Sequence, residues 1–177
     1  MAGYNEYAKA LFLITEEEGV TELALSDIKL VMQALQENPD YIKLLDTPAV
    51  SKSEKLLLID EAFSGITQSL KNLLKILCEK HSVFLFSEIG KNYEAIYNES
   101  RGIEKVEAVT AIPMNEKQLE KMREKLEKMT GKKIIIKNTV DKGILGGVKL
   151  RYSGIQLDGS VKTRLNSFEK SLKNTVI

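Results

Sequence analysis

With 177 residues, 43% of them hydrophobic, and a net charge of +1, the chain suits one domain or two small ones with ordinary buried cores. A single cysteine, Cys78, excludes an internal disulfide, and a single histidine, His81, leaves no set of imidazoles for a zinc site. No run approaches the roughly 20 apolar residues of a membrane-spanning helix, and the N-terminus lacks the basic start and cleavage site of a signal peptide, which predicts a soluble cytoplasmic chain without direct membrane insertion.

The first hundred residues predict six short helices. Tyr4, Tyr7, Ala8, Leu11 and Ile14 recur at three- and four-residue spacing, and the acidic run Glu16 to Glu18 before Gly19 closes that segment. A second helix starts near Glu22, with Leu23, Leu30, Val31, Ala34 and Leu35 assigned to one side. Asn38-Pro39 stops it, because the residue before proline is disfavoured in the α region. A short helical turn, "DYIKLL", precedes the break at Thr47-Pro48. Ser51 and Glu54 then form a capping box for a helix ending near Gly65. Helices at about 67–80, with Leu70, Leu73, Leu74 and Leu77, and at about 84–99, with Ile89, Tyr93, Ile96 and Tyr97, complete a six-helix bundle.

After Arg101-Gly102 the pattern changes. "KVEAVTAI" alternates as a strand up to Pro113. Asn115 and Gln118 make a second capping box for a helix whose stripe is Leu119, Met122, Leu126 and Met129, closed by Gly131. "KKIIIKNTV" reads as a strand, "GVKLRY" and "GIQL" as a hairpin around Ser153-Gly154, and "SVKTRLNSFEKSL" as a last helix. The fold class is therefore mainly α: a helical bundle over residues 1–102 followed by a small α+β domain over 103–177. Charge divides at the same place. Residues 1–100 carry nine lysines, no arginine and sixteen acids, a net −7, whereas 101–177 carry seventeen basic and nine acidic residues, a net +8. That asymmetry predicts different partners for the two parts.

"DKGILGGVKLRYSGIQLDGSVKTRL", residues 141–165, is the glycine-dense stretch. A phosphate-binding P-loop needs glycines five apart followed by Lys and Ser or Thr, but Gly143 is followed five residues later by Val148, and Lys149 precedes Leu150. Gly143, Gly146 and Gly147 also miss the dinucleotide fingerprint, and a strand follows them instead of a helix. Two readings remain: a degenerate phosphate loop, or glycines required by a turn entering a strand, and the failed spacing favours the turn. Cys78 with His81 reads as a helical core cysteine, and Asp141 and Asp158 as turn residues. Interleaved Glu and Lys in "EKQLEKMREKLEKM" fit a solvated helix face better than a nucleic-acid surface, although a nucleic-acid-binding α+β module stays as the alternative. No catalytic, cofactor-binding or metal-binding residue is expected.

The N-terminal "YAKAL", the run of helices, the "RG" at the boundary and above all "GILGGVKL…LDGSVKTRL" together resemble the δ subunit of bacterial F-type ATP synthases and its mitochondrial counterpart, the oligomycin-sensitivity-conferring protein. The resemblance spans nearly the whole chain. It implies a non-catalytic stator component that links the catalytic head to the peripheral stalk, so that proton or sodium flow is coupled to ATP synthesis on other subunits. It also implies that the bundle binds the N-terminal segment of α subunits in a groove between the first and fifth helices. Tyr7, Ala10, Leu11 and Ile14 would line one side, and Leu70, Leu74, Leu77 and Cys78 the other, unless these same side chains fill the core. The second domain would bind the b subunits, with Arg151, Lys162 and Arg164 as contacts. Gly146 and Gly147 would serve the strand entry, and Asp158, Gly159 and Ser160 the turn into the last helix, with Asp158 or Ser160 as its cap. A location on the cytoplasmic side of a bacterial membrane, peripheral and held through the complex, follows from the same resemblance.

Overall fold

The computed structural model describes residues 3–144, 146–152 and 155–158, and the chain is mainly helical with one small sheet. Its contacts separate into two compact units, Met1–Ser100 and Arg101–Ile177. In the first unit the helices are α1 (Tyr4–Glu17), α2 (Thr21–Glu37), α3 (Pro39–Asp46), α4 (Lys52–Ala62), α5 (Gln68–Glu79) and α6 (Phe86–Ser100), with a 3-10 turn at Val83–Leu85.

Local chemistry sets these boundaries. The Asn38 side chain donates to the Ala34 carbonyl at 2.8 Å and closes α2, while Pro39 occupies the first turn of α3, where a missing N–H costs nothing. At α4 the capping box is reciprocal: the Glu54 N–H donates to Ser51 Oγ at 3.3 Å, and the Ser51 N–H to Glu54 Oε2 at 3.2 Å. The start of α5 is secured from elsewhere in the chain. Asp27 of α2, itself buried, accepts the Thr67 N–H at 2.7 Å. Asp46 of α3 likewise accepts from Val83 at 3.0 Å and Phe84 at 3.4 Å.

One core runs through the unit, with Leu11, Phe12, Ile28, Val31, Leu45, Ile59, Leu74, Leu77, Phe86 and Ile89 among its members. Tyr93 is fully buried there, edge-on to Phe12 with ring centroids 5.8 Å apart. Its hydroxyl lies 2.6 Å from Thr15 Oγ1 and 3.2 Å from the Thr21 carbonyl, so a buried polar chain is satisfied where α1, α2 and α6 meet. Two expected stripes are shifted by this arrangement. In α1 the buried arc is Ala8, Leu11, Phe12 and Thr15, leaving Tyr4 and Ile14 exposed. In α2 it is Ala24, Ile28, Val31 and Leu35, and Leu23 and Leu30 face solvent.

The second unit contains β1 (Ile103–Thr110), α7 (Glu116–Thr130), β2 (Lys133–Val140), β3 (Val148–Tyr152) and β4 (Ile155–Asp158), with strand order β2-β1-β3-β4. β1 and β2 are parallel, as a strand–helix–strand crossover requires, whereas β3 runs antiparallel to both β1 and β4. Asn115 and Gln118 exchange the second capping box, with the Gln118 N–H 2.9 Å from Asn115 Oδ1, and Gly131 ends α7 in the left-handed conformation. Asn138 ties the crossover together. Its amide donates to the Ala108 carbonyl at 2.8 Å and to Thr110 Oγ1 at 2.9 Å, and its Oδ1 accepts the Met114 N–H at 2.8 Å. The α7 stripe is shallower than its spacing predicts: Leu119, Met122 and Leu126 are half-buried and Met129 is exposed. The expected last helix, with Gly159, Ser160, Lys162 and Arg164, lies outside the described residues.

Candidate protein-binding surfaces

The glycine-dense stretch forms a turn leading into a strand. Asp141 Oδ1 accepts the Gly143 N–H at 2.8 Å, and the Asp141 carbonyl accepts the Ile144 N–H at 3.1 Å. The carboxylate thus takes up a backbone donor within the turn itself. Gly147 has φ +85°, a conformation that side-chain-bearing residues rarely adopt, and β3 follows at once. Asp158 is in β4, paired with Lys149 of β3, so its backbone belongs to the hairpin.

On the helical unit, α1 and α5 are in contact. Their joint is visible at one end, where Lys80 Nζ donates to the Tyr7 hydroxyl at 2.8 Å and sits 5.4 Å from the centre of its ring. The eight residues expected along this joint divide into two groups. Leu11, Leu70, Leu74, Leu77 and Cys78 are buried in the core, and Cys78 Sγ donates to the Leu45 carbonyl at 3.5 Å. Burial also pushes the Cys78 thiol above its usual value, as befits a small core residue. Tyr7 is half-buried, Ala10 is exposed and Ile14 is 46% exposed.

On α5 the residues facing outward beside the core are different from those expected. Ile76 is 44% exposed and lies one turn before Lys80, on the same face of the helix. Leu73, at the edge of the core, precedes Ile76 on that face. An apolar isoleucine standing outside the Leu70-Leu74-Leu77 stripe, four residues before a lysine, is the signal that the main periodicity hides.

In the second unit, Arg151 is exposed and its guanidinium reaches Glu107 Oε2 at 3.4 Å, while the Thr139 hydroxyl donates to Glu107 Oε1 at 2.8 Å. These groups lie on one face of the sheet, because β1 places Glu107 beside Lys137 of β2 and opposite Arg151 of β3.

Residues 4–172 match the family described as the ATP synthase delta (OSCP) subunit. The chain belongs to that family. It is 36% identical over 174 residues to the ATP synthase subunit delta of Clostridioides difficile strain 630, covering 97% of this chain and 96% of the relative. The ATP synthase subunit delta of Caldanaerobacter subterraneus is 32% identical over 172 residues, with 97% of each chain covered. The fold is also similar to that of a chain in the cryo-EM structure of the Toxoplasma gondii mitochondrial ATP synthase hexamer, with TM-score 0.72, 22% identity, and coverage of 97% of this chain and 98% of that one. Membership makes the chain a structural subunit of the F-type ATP synthase, a component of its peripheral stalk, with catalysis on other subunits. The surfaces that matter are therefore those that hold other proteins.

Proposed function

We propose that the two units hold the two non-rotating parts of the enzyme. The helical unit takes the N-terminal segment of α subunits along the α1–α5 joint, and the sheet unit takes the b subunits of the peripheral stalk. The observation that carries the first half is the strip beside the core: Tyr7, Ala10 and Ile14 share one face of α1, and Leu73 and Ile76 share one face of α5, with Lys80 fastening the joint at Tyr7. Such a strip suits an amphipathic helix, whose apolar residues recur every three to four positions. The buried leucines behind it keep the two helices in fixed positions, and the half-exposed isoleucines supply the contact. The α7 and β-sheet unit, with its excess of basic residues, suits an acidic stalk. Among the described residues no helix is long and apolar enough to cross a membrane, which fits peripheral attachment on the cytoplasmic face of a bacterial membrane through the complex.

The test is titration of the full chain with a synthetic peptide of the α N-terminal segment. Ile14→Asp and Ile76→Asp are expected to weaken binding about tenfold or more each, a loss of about 1.4 kcal/mol. Both positions are half exposed, so the fold tolerates the change. Wild-type affinity in both variants would remove the α1–α5 assignment.

A further inference from the structure

A cavity of about 350 Å³ lies in the helical unit between the start of α4 and the end of α5, near the lower end of the range of about 300–1,000 Å³ that small-molecule sites occupy. Pro48, Val50 and Leu56 give it apolar walls, and Lys55, Cys78 and His81 also line it. Lys55 is the unusual member, because it is only 3% exposed and bears an ammonium. Its Nζ donates to the Thr47 carbonyl, a neutral acceptor that takes one of three N–H groups, and among the described residues no carboxylate pairs with it. A buried cation without a counter-charge is costly to keep. The carboxylates of this neighbourhood are committed elsewhere. Asp46 accepts the Val83 N–H at 3.0 Å and the Phe84 N–H at 3.4 Å, and Glu79 pairs with Lys52 at 2.9 Å. Burial raises the Cys78 thiol, Lys55 pulls it down, and Asp46 and Glu79 push it up, which places all three charges near the same sulfur. At the end of α5 the Ile76, Leu77 and Cys78 carbonyls accept from Lys80, Ser82 and His81 at 3.1, 2.9 and 3.1 Å, and these bonds blunt the negative end of that helix.

We propose that this cavity binds a monocarboxylate, with the ligand's oxygens on the Lys55 ammonium and its short apolar portion against Pro48, Val50 and Leu56. Charge and lining decide the class. Lys52 is neutralised by Glu79, which leaves Lys55 as the one lysine of the lining without an anionic partner and matches it to a singly charged group. Inorganic phosphate carries more charge than one ammonium offsets and has no apolar part for the walls. A free short-chain acid and the glutamate side chain of a partner present the same carboxylate. Either one bridges the start of α4 and the end of α5, and so stabilises the folded unit by mass action. The lining shares no residue with the strip proposed on α1 and α5, so the two readings stand or fall separately.

The experiment follows the thermal midpoint of the full chain in sodium butyrate, against sodium chloride at equal ionic strength and against butyramide, the uncharged isostere. Saturating butyrate is expected to raise the midpoint by about 2 °C or more, with no rise in chloride or butyramide. Lys55→Met keeps the apolar stem and removes the charge, and it is expected to abolish the rise. Methyl NMR of the wild type gives a readout that needs no variant: the Val50 and Leu56 signals should shift saturably with butyrate and stay in place with butyramide. A blocked glutamate peptide separates the two sources. Saturable shifts with butyrate alone assign the site to a free acid, and saturable shifts with the peptide assign it to a partner's side chain. An equal rise in Lys55→Met, or no saturable methyl shift in the wild type with either carboxylate, overturns the proposal. So does inorganic phosphate shifting these methyls where butyrate leaves them unchanged, which would reassign the cavity to a multiply charged anion.

Discussion

Between Ala8 and Tyr93, apolar side chains from all six helices of the first unit meet in one core, whereas among the described residues of the second unit full apolar burial is confined to Val106, Ala108, Val109, Ile134 and Ile144. α7 has no buried residue at all. The first unit therefore draws its cohesion from packing, and the described part of the second draws more on the hydrogen-bonded ladder and on polar ties such as Asn138. The difference teaches how each can bind. On the reading proposed above, the filled core leaves a narrow strip for a partner, and affinity there comes from a few side chains in fixed positions. On the same reading, the basic second unit steers an acidic partner before it docks.

Matched substitutions break or sharpen this comparison. Leu77→Ala removes a fully buried side chain from the helical core and is expected to cost about 2–5 kcal/mol, read as a lowered midpoint in denaturant. Ile134→Ala in the second unit is expected at the lower end of that range, because the described residues of that unit include few buried apolar side chains. Equal losses would show that the second unit packs as tightly as the first. Smaller effects come from the two capping boxes. Ser51→Ala and Asn115→Ala should each cost about 1 kcal/mol, and hydrogen exchange should place the loosening in α4 for one and in α7 for the other. Exchange that spreads through the whole helical unit on Ser51→Ala would contradict the view that its packed core, more than its helix ends, holds it together.

The remaining effect is confined to alkaline pH. Burial pushes Tyr41 up to about 12 and raises Tyr93 and Cys78, all three in the first unit. A tyrosine whose folded pKa lies above its unfolded value of about 10 contributes stability that is complete below pH 10 and lost as pH rises toward 12. Alkaline melts should therefore show the helical signal softening through that window, and Tyr41→Phe should reduce the slope. An unchanged slope would mean that Tyr41 ionises in the folded unit as readily as in the unfolded chain.

Much of the element order was legible because the signals are local. Ser51 with Glu54, Asn115 with Gln118, Asn38 before Pro39, and Gly131 each act within a turn or two, so their chemistry does not depend on distant neighbours. Which apolar residues go inward was less legible. Leu23 and Leu30 are as hydrophobic as Ile28, yet Ala24 and Ile28 face the core. Thr15 enters the core of α1 because Tyr93, 78 positions away, meets its hydroxyl. The same limit applied to the strip proposed for binding. Leu70, Leu74 and Leu77 form the strongest stripe of α5 and are consumed by the core, so the residues beside the α1 joint are Ile76 and Lys80, which the periodicity alone does not single out. Lys162 and Arg164 lie outside the described residues, leaving Arg151 as the described member of the expected basic set.

Asp27 and Asp46 have a further consequence. Each closes the start of a helical segment about forty positions later in the chain, at separations of 40 and 37 residues. Neither α5 nor the turn before α6 is therefore complete within a short fragment: each needs a carboxylate made much earlier. During synthesis that order is favourable, since the stitch exists before the stretch it secures. It also means that a protease nicking the loops between α2 and α5 cuts the covalent link between α5 and the carboxylate that closes its start, so loss of α5 and loss of α2 should occur together.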